Sequence, residues 1–236
     1  MNEEKRIPLP PAQARQRVDA FLTQLAAVPA VRTAGPRGRL LFALDATASR
    51  EAAWDRACQI QGEMFQETSA LGGLDVQMLY YRGFGEFHAT PWVSDSKALI
   101  GTMSGVRCLA GKTQIAQVLC HALAEARAGK VSALVFVGDC VEEDVDTLGA
   151  LAGELGVRGV PAFVFQEGFE PGAERALRQV AQLSRGAWCR FDASSASQLR
   201  DLLAAVAVYA AGGRKALDDY SAKRKGHVHL LAKQLE

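Results

Sequence analysis

The sequence predicts an α/β fold: a doubly wound, mostly parallel open sheet flanked by helices, with one short antiparallel edge strand. Three observations predict it. The short apolar runs LLFALD (residues 40–45) and ALVFVG (133–138) are continuous rather than alternating, as parallel strands buried on both faces require. Segments with helical apolar spacing separate such runs along most of the chain, which is the rhythm of βαβ units. Finally, 236 residues with 49% hydrophobic and 22% charged side chains can bury the core of one such domain without staples.

Each element follows in order. Residues 1–10 are polar and Pro-rich and read as an arm, and Val18, Phe21, Leu22 and Leu25 carry helical spacing after it. AGPRGR breaks the chain before the first strand, LLFALD. A helical pattern runs from Ser49 to about Thr68, and GLDVQMLYYRG is the second strand. Gly83 and Gly85 make a hairpin bend into GEFHAT, the expected edge strand. SDSKALIGTMSG reads as a short helix capped by Ser94 or Asp95, and TQIAQVLCHALAEARAG as a longer one. The strand VSALVFVGD, a helix in EEDVDTLGALAGELG, the strand VPAFVFQEG, the helix GAERALRQVAQLSRG, the strand AWCRFD and the helix SASQLRDLLAAVAVYAAGG complete the series. The expected organisation is an N-terminal arm and helix at 1–30, a domain at 39–212, and a basic tail at 213–236.

Charge and composition exclude several classes. A formal net charge of +1 gives no global field for nucleic acid. The N-terminus lacks the apolar core of a signal peptide, and the longest apolar stretch, residues 202–211, is too short to span a bilayer. The five cysteines, Cys58, Cys108, Cys120, Cys140 and Cys189, are odd in number and far apart, which reads as buried reduced thiols in a cytoplasmic protein.

In open parallel sheets, functional groups gather at the carboxyl ends of the strands. Asp45 ends the first buried strand and Asp139 follows ALVFVG, a neighbouring strand in the expected topology. Thr47 and Ser49 follow Asp45 at alternate positions, and Thr113 opens the helix before the strand of Asp139. These are hard oxygen donors without His or Cys, a set that suits Mg²⁺ or Mn²⁺. The alternative reading makes Asp45 a helix cap and gives Thr47 and Ser49 turn hydrogen bonds.

The pattern Asp45-x-Thr47-x-Ser49, then Thr113 in GKTQIAQVL, then Asp139 in VFVGD resembles the metal-ion-dependent adhesion site (MIDAS) of von Willebrand factor A (VWA) domains. The resemblance covers roughly residues 39–212. It departs from the family at Thr47, where Ser is usual, and at Cys140, where Gly often gives the turn. It implies a VWA/Rossmann-like fold and Mg²⁺ or Mn²⁺ held at Asp45, Thr47, Ser49, Thr113 and Asp139. In the family the hydroxyls of the second and third motif positions bind the ion directly, the two Asp act through water, and the Thr joins when a ligand carboxylate arrives. The implied activity is capture of an Asp or Glu on a protein partner, with no catalysis, no nucleic acid and no membrane.

Other motifs are weaker. A haloacid-dehalogenase-like hydrolase or phosphotransferase needs a second Asp where Thr47 stands. GVRCLAGKT (105–113) imitates a phosphate-binding P-loop but has five residues where that motif has four. DCVEEDVD lacks the Gly and Glu of a calcium loop, and Glu142, Glu143 and Asp144 read as the acidic start of their own helix. His227 and His229 read as solvated, His88 and His121 have no readable partner, Trp54 reads as core, and Trp92 is either core or a rim of the site. A scaffold with a vestigial metal site is the third reading of the whole.

Overall fold

A computed structural model describes residues 37–50, 73–191 and 201–220, apart from 202, 214 and 218. The arm at 1–30, the helix expected between Ser49 and Thr68, Trp54, Cys58, His227, His229 and most of the basic tail lie outside these residues. The strands are β1 (Gly38–Asp45), β2 (Leu74–Arg82), β3 (Glu86–Ala89), β4 (Ala133–Gly138), β5 (Ala162–Glu167) and β6 (Ala187–Phe191). The helices are α1 (Ser96–Ser104), α2 (Ile115–Ala128), α3 (Val145–Val157), α4 (Pro171–Leu183) and α5, helical over 203–213.

The sheet order is β3-β2-β1-β4-β5-β6. Every pairing is parallel except that of β2 with β3, so the expected edge strand is there. The central strands are continuous apolar runs because both faces are covered. Leu40, Phe42 and Leu44 face α1 and α5, while Leu41 and Ala43 face α2, α3 and α4. The strand period of two then settles where Asp45 points. It shares parity with Leu41 and Ala43 and lies toward the α2–α4 layer.

Asp95, one of the two expected caps, accepts the Ala98 N–H at 2.9 Å at the start of α1. Helix α2 begins at Ile115, two residues after the start expected at Thr113. Of the four cysteines described, Cys189 is buried, Cys108 and Cys140 are half-buried and Cys120 is exposed, and no two of them form a disulfide. The expectation of uniformly buried thiols therefore fails at Cys120, which lies on the solvent face of α2. Among the described residues, no helix is long and apolar enough to cross a membrane.

Candidate functional site

The order of strands in the sheet places β1 between β2 and β4, so three strand ends meet at one crest. Register does the rest. Asp45 lies opposite Tyr81 of β2, and Leu44 opposite Val137 of β4, which brings Gly138 and then Asp139 beside Asp45. A Cβ on Gly138 would stand 3.6 Å from the Asp45 Cβ.

Asp45 is 1% exposed. Its Oδ1 accepts the Thr47 N–H at 2.7 Å and its Oδ2 accepts the Tyr81 O–H at 3.0 Å. The first bond is the turn-type contact of the alternative reading, and it aims the Thr47 hydroxyl to 3.2 Å from that of Ser49. Burial pushes the Asp45 carboxyl above the ordinary aspartate range. Hydrogen bonds from Thr47 oppose that shift, the charge of Asp139 adds to it, and the Tyr81 bond opposes it. Tyr81 is fully buried, and burial followed by the Asp45 charge pushes its phenol well above its usual range, so it remains a donor.

Asp139 is half-buried, yet its Oδ1 is sealed from solvent and accepts no hydrogen bond from a described residue. An unpartnered carboxylate oxygen beside a second carboxylate is an unfavourable arrangement without a counter-charge. Cys140 does not hold a left-handed conformation, since Arg185 is the only described non-glycine residue with positive φ. The turn after Asp139 therefore needs no glycine, and the Cys140 departure from the motif leaves the loop intact.

Thr113 reaches the crest through a different loop. Its N–H donates to Glu142 Oε2 at 3.0 Å, and its Oγ1 accepts the Glu142 N–H at 3.0 Å. Glu143 accepts the Ile115 and Ala116 N–H groups at 2.6 and 2.8 Å. These contacts correct the reading of the acidic run. Only Asp144 caps its own helix, by accepting the Thr147 N–H at 2.8 Å. Glu142 and Glu143 serve the start of α2 instead, where Gln114 makes no side-chain cap. They also fill the N–H groups that a phosphate would use at GVRCLAGKT.

Sequence reasoning singled out five candidate residues. The structure joins Asp45, Thr47 and Ser49 directly, sets Asp139 beside Asp45, and holds Thr113 through Glu142 in the Asp139 loop. Sequence reasoning missed Tyr81 and gave Glu142 and Glu143 to the wrong helix. Trp92 does not rim the site: its Nε1–H donates to Glu125 Oε2 at 3.1 Å, under the Arg39 guanidinium, at the opposite end of the sheet. Among the described residues, no group of three or more His, Cys, Asp or Glu side chains could hold a metal, so any ion here would depend on the hydroxyls.

No protein-family profile matches the chain, and no curated protein sequence does. Solved structures do. The VWA domain of SpRpn10 aligns with a TM-score of 0.52 at 12% identity, over 75% of this chain and 97% of that one. Proximal thread matrix protein 1 from the mussel byssus, with a zinc-occupied MIDAS motif, aligns with a TM-score of 0.57 at 15% identity. That alignment covers 75% of this chain and 48% of the mussel protein. An aerotolerance-related membrane protein from Bacteroides fragilis, solved with multiple mutations to serines, gives a TM-score of 0.53 at 16% identity, over 69% and 95%. The fold of this chain is that of a VWA domain, as the motif implied.

Proposed function

We propose that this chain is a divalent-cation-dependent protein-binding module that captures an acidic side chain of a protein partner through Mg²⁺ or Mn²⁺. The observation that supports it most is the Asp139 Oδ1, sealed from solvent and without a donor among the described residues, beside the buried carboxylate of Asp45. Two carboxylates so placed are complementary to a cation. The residues fit such an ion: Thr47, Ser49 and Thr113 would hold it through hydroxyl oxygens, with Asp139 and Asp45 supplying charge. When bound, it would supply an electrophilic centre for an external carboxylate.

The chain's own residues prepare that centre. Thr47 N–H and Tyr81 O–H fix both oxygens of Asp45, which then acts as an oriented charge. Thr113 accepts one hydrogen bond from the Glu142 N–H, which leaves its second lone pair and its proton for use. Thr47 offers no acid to a leaving group, and this favours binding over hydrolysis or phosphoryl transfer.

The test is recovery of partners from a lysate of the native host, using wild type and Ser49→Ala, each with Mg²⁺ and with EDTA. Partners should appear only with wild type in Mg²⁺. The same partners in all four samples would refute metal-mediated capture and favour a scaffold that works through another face.

A further inference from the structure

Around the candidate site the crest has two unlike sides. On the α3 side lie the exposed acids Glu142, Asp144 and Asp146. On the β2 side lie two exposed large apolar side chains, Phe84 at 82% and Leu109 at 41% exposure, with the exposed cations Arg107 and Lys112 on the same loop as Leu109. Neither cation forms an ion pair with a described residue.

This second side is a built lip. Gly83 and Gly85 take φ of 59° and 124°, which turns the chain sharply and leaves Phe84 at the tip. The tip is clamped to the next loop. Lys112 N–H donates to the Gly83 carbonyl at 3.0 Å, and a Cβ on Gly111 would lie 1.9 Å from that same oxygen. Arg82 Nη1 donates to the Arg107 carbonyl at 3.0 Å. That loop in turn is stitched to the motif loop: Leu109 N–H donates to the Ala46 carbonyl at 3.1 Å, and Leu109 pairs with Thr47 in a bridge. Main-chain bonds therefore fix Phe84 and Leu109 relative to the Thr47 and Ser49 hydroxyls. Nothing in the core requires these two side chains in water, and a fixed apolar surface loses little entropy on binding.

We propose that Phe84, Leu109, Arg107 and Lys112 form the docking lip for an extended protein segment in which the captured acid stands beside a large apolar side chain and a further acid. The inference rests on the metal-site reading above. Charge decides the side of approach: an acidic segment is repelled by Glu142, Asp144 and Asp146 and attracted by Arg107 and Lys112. The apolar neighbour of the captured acid then lies on Phe84 and Leu109.

A displayed library of random linear peptides, selected on the full chain in Mg²⁺ and eluted with EDTA, tests this. The recovered peptides should be acidic and should place Asp or Glu within two residues of an aromatic or large aliphatic side chain. A synthetic peptide of that sequence should bind about tenfold or more weakly to Phe84→Ser with Leu109→Ser, since one large apolar contact is lost. Its affinity for Arg107→Ser with Lys112→Ser should fall less and lose part of its salt dependence. Val157, exposed at the far end of α3, provides the control, and Val157→Ser should bind as wild type. All variants change exposed side chains, and unaltered melting temperatures will confirm that each folds. Three results would overturn the lip while Mg²⁺ still raises the melting temperature. These are no recovered peptide, acidic peptides without an apolar neighbour, or equal binding by the Phe84 and Leu109 variant. A dimer that Phe84→Ser dissolves would overturn it in favour of self-association. If Mg²⁺ does not raise the melting temperature, the metal-site reading itself fails and the lip falls with it.

Discussion

The two ends of the central strands treat charge in opposite ways. At the amino end, Arg39, Glu125 and Trp92 form one paired network. Arg39 Nη2 meets Glu125 Oε2 at 3.1 Å, the same carboxylate accepts the Trp92 Nε1–H, and the Arg39 guanidinium lies 3.9 Å over the Trp92 ring. His121 bonds Gln77 Oε1 at 3.0 Å, and the Gln77 amide donates to the Thr90 carbonyl. At the carboxyl end two acids stand together, and Asp139 Oδ1 has no donor among the described residues. The first arrangement is complete as it stands and reads as structure. The second lacks a positive charge and reads as a site.

The largest expected effect comes from supplying that charge. Mg²⁺ at about a hundred times its dissociation constant should stabilise the protein by about 2.7 kcal/mol, a rise of roughly 5–10 °C in melting temperature. Asp139→Asn should abolish the rise. Without metal, the same variant should melt at or above wild type, because it removes the repulsion that helps push the Asp45 carboxyl up. Asp45→Ala is a poorer choice, since it also strands the Thr47 N–H and the Tyr81 O–H. A melting curve with equal Mg²⁺ response in wild type and Asp139→Asn would erase the contrast between the two ends.

Glu125→Ala should act with the opposite sign. It removes the partner of both Arg39 and Trp92 in a network about three-quarters shielded from solvent, and should cost about 2 kcal/mol. The loss should be the same with and without Mg²⁺, as chemical denaturation in both conditions can check. A Glu125→Ala loss that Mg²⁺ reverses would mean that the two ends are not independent.

How much of this was readable beforehand follows from range. The buried strands β1 and β4 were legible because continuous apolar runs fit a sheet covered on both faces. Asp45, Thr47 and Ser49 were legible because their spacing is local and their loop continues a strand. Asp139 and Thr113 became legible only once strand order was assumed. Tyr81 was missed because its bond to Asp45 depends on the register of β1 against β2, which apolar spacing alone leaves free. Glu142 and Glu143 were misassigned because a local rule, acids at the start of their own helix, competes with a non-local one, acids closing a neighbour's helix. Trp92 stayed open for the same reason: its partner Glu125 is 33 residues away in sequence.

The smallest expected effect is a pH dependence at the paired end. Burial lowers the His121 imidazole from its ordinary value of 6.5, and the Glu125 charge opposes that shift without reversing it. The charged groups that face it are Glu125, 3.9 Å away on the same helix, and Arg39 beyond that carboxylate; Gln77 of β2 and the Phe87 ring of β3 complete the surroundings. A histidine whose folded value lies below its unfolded value binds more protons when unfolded. Its contribution to stability is therefore full above the unfolded value of about 6.5 and is lost as the pH falls through that value toward the folded one. Because Gln77 donates its own amide to Thr90, its Oε1 accepts from His121, and the neutral ring already carries the proton that this bond needs. Protonation thus brings no new bond there, only a charge in a partly desolvated position. Metal-free protein should melt slightly lower at pH 5.5 than at pH 7.5. His121→Gln, which keeps a donor for Gln77, should flatten the part of that slope that belongs to the amino end. Adding Mg²⁺ at either pH should leave the His121 contribution unchanged. A slope unchanged in His121→Gln would show that the pH response does not belong to His121.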